Sequence, residues 1–446
     1  MRKIAYLLVG IILIFLPKVR AQAPTFGSAK VEQAADLTAT DNGFVLLGTA
    51  QNSGFNFDIW SVFTDTLGNF LAEKRYGGQK KDIAAQITAT NNGFFILGTT
   101  YSSELPGYHG RGDFLLVKTN ASGDQIWRRV YGGAQLDQAT AIVGTGDGGA
   151  LLVGSTHSSD ISSYHYGQGD ILIIKVDAAG NVQWAKTFGG SKTDMPGDIQ
   201  ATPDGGYILT GTTFSADGLI TNNNGQSDIW VLKITHAGMV EWSKSFGGAG
   251  FDYGHALRVV PTGGYIIVGS MGSINTSTSS IAQRYDQDLI ALRIDETGQT
   301  IWQKTFGHDY FDAGMDVYPL NDGSGFLLTG YTEDAAPGSL PYESNKNAWT
   351  LGIDPQGNKL WEIFSEGSEN EYGVAIGANA SKSTVAVIGD TDSKDGELIS
   401  TGRKDIWFQK YNDQSTFTVS LGSDFGICAG KSITLQATVP NCPDCT

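Results

Sequence analysis

The chain has 446 residues, with 46 acidic against 30 basic side chains, a formal charge of −16, and only 17% of it is charged. That balance excludes a nucleic-acid partner or an anionic membrane surface, both of which need clustered Lys and Arg. A hydrophobic share of 40% excludes a disordered chain, and 59 glycines beside 11% aromatics point to an all-β protein rich in turns.

At the N-terminus, Arg2-Lys3 precede the apolar run 4–16, and Ala21-Gln22-Ala23 offers a small-x-small cleavage site. The run is too short for the roughly 20 residues that cross a bilayer, so residues 1–23 read as a signal peptide. The expectation is an exported protein, secreted or at the cell surface, with no membrane insertion.

After residue 24 one block recurs. Its fourth copy is the cleanest: Phe188-Gly189-Gly190, Asp194, Asp204-Gly205-Gly206-Tyr207, Gly211-Thr212-Thr213, Asp228-Ile229-Trp230, Gly238 and Trp242. The aspartate opening the third segment recurs at Asp58, Asp113, Asp170, Asp228, Asp288 and Asp405, with Asn347 in the sixth copy. Each of the seven copies holds four short runs rich in β-branched and aromatic residues, bounded by Gly, Asp and Asn, and none shows helical periodicity. Four strands repeated seven times predict an all-β, seven-bladed β-propeller over residues 24–413, with four antiparallel strands per blade. We call the strands a to d from the centre outward. The seventh copy lacks a strand d, whereas Thr25-Phe26-Gly27-Ser28 is a fragment of one. The N-terminal strand is therefore expected to complete the last blade; the rival for that place is 417–421.

From strand b to the strand c aspartate the offsets are 14, 19, 20, 21, 23, 21 and 20 residues, while the rest of the unit hardly varies. Length variation thus sits in the b–c loops, on the face they share with the d–a linkers, and variable loops on a rigid scaffold are where binding residues gather. Two adjacent loops carry aromatics and imidazoles, Tyr108, His109 and Arg111 in copy two and His157, Tyr164, His165 and Tyr166 in copy three. These are the candidate ligand-binding residues; their spacing matches no zinc motif. Asp390, Asp392, Asp395 and Glu397 form an acidic cluster of the kind that holds Ca²⁺, without EF-hand spacing. No other cofactor is expected. The aspartates Asp82, Asp137, Asp194, Asp252 and Asp312, with Glu32 in copy one, read as caps on the d–a turn. The glycine run Gly144–Gly149 fits a dinucleotide fingerprint, but a strand follows it instead of a helix.

The repeat stops near residue 413. Residues 414–446 hold all three cysteines, Cys428, Cys442 and Cys445, which are disulfide candidates in an exported module. This stretch is too short for a domain and reads as the start of one, a truncated β-sandwich-like segment.

The copy-four residues, from Phe188-Gly189-Gly190 to Asp228-Ile229-Trp230-Val231-Leu232-Lys233, resemble the SBBP-type β-propeller repeats of secreted bacterial proteins, particularly of Bacteroidetes. The tail, Val419-Ser420-Leu421-Gly422 to Thr434-Leu435, looks like the opening of an Ig-like or PKD-like module. The resemblance implies a monomeric propeller within a larger modular surface protein, of the kind that ends in a type IX secretion signal, and it brings no shared catalytic residues. The expected function is non-enzymatic adhesion, the recognition of an extracellular glycan or protein through the b–c loop face. The alternatives are a propeller glycoside hydrolase or lyase with carboxylates at the channel mouth, and a structural spacer.

Overall fold

The computed structural model describes residues 23–412 apart from 163–165, 275–284, 309–310, 334–344, 366, 380–383 and 397. It is all-β: seven sheets of four antiparallel strands, with no helix among the described residues. Blade 4 shows the plan, with strands a to d at Asp194–Ala201, Tyr207–Thr213, Asp228–Ile234 and Val240–Phe246, hydrogen-bonded in that order. The seven inner strands are Glu32–Thr40, Asp82–Thr90, Asp137–Gly144, Asp194–Ala201, Asp252–Val259, Ala313–Pro319 and Glu371–Ala378. Each touches the inner strand on either side, the last touching the first.

The ring closes as the sequence predicts. Thr25–Phe26 pairs with Asp405–Asn412, supplying the fourth strand of blade 7, and the Phe408 amide donates to the Pro24 carbonyl at 3.0 Å. The rival segment 417–421 and the three cysteines lie outside the described residues.

The core is seven interfaces between blades. A strand's side chains alternate between its two faces, so strand b of blade 1 sends Phe44 and Leu46 toward blade 7 (Ile388, Ile406, Phe408) and Val45 and Leu47 toward blade 2 (Phe94, Ile96, Leu115). The same arrangement recurs around the ring, which is why the middle strands are apolar on both faces. On the rim, the strand d tryptophans Trp127, Trp184, Trp242 and Trp302 lie against Gly180, Gly238, Gly298 and Gly357 of the next blade's c–d turn. These glycines have φ between 70° and 81°, and a Cβ there would meet the indole within 3.1 Å.

Candidate functional site

The recurring aspartates hold the loop face together. Each strand a carboxylate accepts the amide four residues before it: Asp82 from Gly78, Asp137 from Gly133 and Asp194 from Gly190 at 2.7 Å, Asp252 from Gly248 at 2.6 Å and Asp312 from His308 at 2.7 Å. The strand c aspartates do the same for the b–c loop, Asp113 from His109 at 2.7 Å, Asp170 from Tyr166 at 2.8 Å and Asp228 from Asn224 at 2.9 Å. Burial pushes Asp82, Asp113, Asp194, Asp228 and Asp252 above the usual carboxylate range, and Asp312 to about 6.

A third pin is a Thr-x-Ser-x-Asp/Glu stretch after strand b that sequence reasoning missed, at Thr100-x-Ser102-x-Glu104, Thr156-x-Ser158-x-Asp160, Thr213-x-Ser215-x-Asp217 and Thr391-x-Ser393-x-Asp395. The serine hydroxyl accepts an amide of the d–a linker (Lys80 and Gln135 at 2.9 Å, Lys192 at 3.0 Å, Glu369 at 2.8 Å). The closing carboxylate accepts another, Asp160 from Ala134 at 3.1 Å, Asp217 from Ser191 at 2.7 Å and Asp395 from Ser368 at 2.9 Å. The signal was readable as a fixed spacing in four copies.

This places the acidic cluster. Asp395 belongs to that pin, whereas Asp390 and Asp392 share Lys404, whose Nζ stands 3.8 Å from each carboxylate. Glu397 lies outside the described residues. Among the described residues no three His, Cys, Asp or Glu side chains converge as metal ligands.

The loop candidates of blades 2 and 3 meet over one linker. The Arg111 amide donates to the Gln135 carbonyl at 3.1 Å and the His157 amide to that of Leu136 at 3.0 Å. His109, Arg111, His157 and Tyr166 are exposed and Tyr108 is half-buried; Tyr164 and His165 lie outside the described residues.

A second feature opens on the same face, at the mouth of the central channel. The inner strands carry small residues near their starts (Ala34-Ala35, Ala84-Ala85, Gly254, Gly373), because neighbouring blades approach closely there: a Cβ on Gly254 would lie 2.6 Å from the Gly211 carbonyl of the preceding blade. The space left is a cavity of about 650 Å³ whose wall includes His255, Tyr331, Tyr372, Asp390 and Lys404. Tyr331 and Tyr372 meet edge to face at 5.3 Å. The Lys346 ammonium lies 4.7 Å from the Tyr331 ring centre and 5.4 Å from that of Tyr372, and Lys404 lies 5.2 Å from Tyr372. Burial raises Asp390 to about 7, while one of its oxygens accepts the Ala34 amide at 2.6 Å. His255 Nδ1–H donates to the Gly314 carbonyl at 2.9 Å, and burial lowers the pKa of the ring. Tyr253 stacks beside it at 6.4 Å.

Two residues further along the inner strands lies a polar waist. There a side chain of one blade accepts an amide of the next: Asp36 from Ile87 at 3.0 Å, Gln86 from Ile142 at 2.6 Å, Asp198 from Leu257 at 3.3 Å and Asp316 from Ile376 at 2.8 Å. Arg258 bridges Asp198 and, at 2.7 Å, Asp316. Burial raises Asp36 to about 8.

No protein-family model matches this sequence, and no curated protein does.

Proposed function

We propose that this is an exported, non-enzymatic recognition module of the SBBP propeller type, joined to an Ig-like or PKD-like segment, whose b–c loop face binds an extracellular glycan or protein in adhesion. The observation that carries the reading is that the variable loops and the channel-mouth cavity open on one face, while a repeated set of carboxylate and hydroxyl pins holds that face rigid. Preorganised loops lose less entropy on binding, which is what a recognition surface requires. The test is a screen of the full exported chain against a glycan array and extracellular matrix proteins, repeated after the blade 2 and blade 3 loops are replaced by the short blade 1 loop. Saturable binding that falls with the loop replacement is the expected result. Binding that survives it assigns recognition elsewhere on the molecule.

One observation favours the enzymatic alternative. Asp390 and Asp392 each stand 3.8 Å from Lys404 Nζ, so the two oxygens lie no more than about 8 Å apart, a limit that admits the spacing of paired glycosidase carboxylates. Product release in the same wells decides for that reading.

A further inference from the structure

The seven copies supply an internal control: a residue that the fold requires at a repeat position recurs around the ring. Two positions are informative. The residue after the strand b glycine is Thr49, Thr99, Ser155, Thr212 and Ser270 in blades 1 to 5. Its hydroxyl has a structural task, accepting the inner-strand amide of the next blade: Ala84 on Thr49 and Ala139 on Thr99 at 2.9 Å, and Gly254 on Thr212 at 3.2 Å. In blades 6 and 7 the same position holds Tyr331 and Asp390. The residue before the strand c aspartate is Phe57, Gly112, Gly169, Ser227 and Gln287 in blades 1 to 5, and Lys346 and Lys404 in blades 6 and 7. These departures occur in adjacent blades and converge in space: Tyr331, Asp390 and Lys404 line the mouth cavity, Lys404 stands against Asp390, and Lys346 lies over the Tyr331 ring. Five blades fold without them.

Resting on the reading of the loop face as a recognition surface, we infer that the blade 6–blade 7 wall of the channel mouth is a saccharide-binding site, with Tyr331, Tyr372, Lys346, Lys404 and Asp390 as its contact residues. The chemistry points to a pyranose. A sugar ring presents an apolar C–H face that packs on an aromatic ring, and vicinal hydroxyls that each donate and accept. Tyr372 and Tyr331 supply aromatic surface; Asp390 accepts; the two ammonium groups and the phenols donate. The cavity, about 650 Å³, falls within the usual range of small-molecule sites. A concave site with this mixture of charges suits neither an apolar ligand nor a flat protein surface.

The experiment uses the full chain and four probes: methyl glucopyranoside, galactose, N-acetylglucosamine and galacturonate, followed by saturation-transfer NMR and calorimetry. One variant restores the repeat pattern (Tyr331→Thr, Lys346→Ser, Asp390→Thr, Lys404→Ser); the hydroxyl that Asp390→Thr introduces still accepts the Ala34 amide, as Thr49 and Thr99 accept theirs in blades 1 and 2. A second variant removes Tyr108, His109 and Arg111 as alanines. Expected are saturable binding of at least one probe and a loss of tenfold or more in the pattern-restored variant with Tm held at or above wild type. Binding of a probe that the loop variant loses and the pattern-restored variant keeps overturns the mouth site and leaves the loop-face reading standing. Binding of none of the probes overturns the site, as does a pattern-restored variant that melts well below wild type, because those residues would then serve the fold.

Discussion

The first glycine of each Phe/Tyr-Gly-Gly motif shows how tightly single residues are constrained on the loop face. A Cβ on Gly189 would lie 2.6 Å from a carboxylate oxygen of Asp194 and 2.7 Å from one of Asp170. On Gly247 it would lie 2.4 Å from Asp252 and 2.6 Å from Asp228. The glycine is there because two buried carboxylates close on its α-carbon, one pinning the d–a linker and the other the b–c loop. Gly189→Ala is therefore expected to cost about 1–3 kcal/mol, the usual penalty for a forced overpacking. Gly146→Ala is the control. Gly146 sits in the a–b turn of blade 3 outside the positive-φ glycines, and its added Cβ would meet nothing within 4 Å. That change should leave stability within about 1 kcal/mol of wild type, on the stabilising side if anything. Paired thermal melts of the two variants check both expectations.

At the scale of the element, the weakest joint is the short strand Thr25–Phe26, which makes blade 7 from two ends of the chain. Phe26 is buried in the blade 7–blade 1 interface with Ile406, Phe408 and Phe44, whose ring lies 5.5 Å from that of Phe408. Phe26→Asp removes that packing, at about 3–5 kcal/mol for the lost side chain alone, and adds a buried charge. The expected signature is local: amide exchange at Ile406 and Phe408, whose N–H groups face that strand, accelerates while Tyr207–Thr213 in blade 4 stays protected. Uniform acceleration around the ring would show that closure does not depend on this strand.

Elements of this kind were legible because turn chemistry marks their ends. Recurring Asp and Gly bracket every apolar run, and the fragment Thr25-Phe26-Gly27-Ser28 carries the strand d pattern by itself. The break in register within each inner strand, as between Pro196 and Asp198, was not legible. It arises from crowding at the centre of the ring, and small side chains are its only trace. The channel mouth was hidden for a related reason: Gln33 of the first copy meets Tyr331, Tyr372 and Lys404 of the last two there. Averaging the copies yields the fold, whereas the mouth is where the copies differ.

Across the whole molecule, the same pins make stability depend on pH in an unusual direction. The buried carboxyls are raised: Asp36 to about 8, Glu371 and Asp390 to about 7, Asp312 to about 6, with Asp82, Asp194 and Asp252 shifted the same way, in each case chiefly by burial. Unfolded, these groups titrate near 4. Between about pH 4 and pH 8 the folded chain therefore binds more protons than the unfolded one, and stability falls as pH rises. The opposing groups act lower. Asp147 is held near 2 by the Lys175 ammonium, and Asp204 is held near 2 where, against its own burial, the Lys233 ammonium prevails. Their contribution is complete above about pH 4 and is lost as pH falls through 2. Thermal melts should accordingly peak on the acid side, near pH 4 to 5, and decline toward pH 8. Asp36→Asn isolates the largest contribution, because an amide oxygen can still accept the Ile87 amide while nothing remains to ionise. The variant should melt with wild type at pH 4 and above it at pH 8. A variant that melts below wild type at pH 8 would mean that the waist holds Asp36 as a carboxylate facing Arg258, reversing the sign argued for this part of the profile.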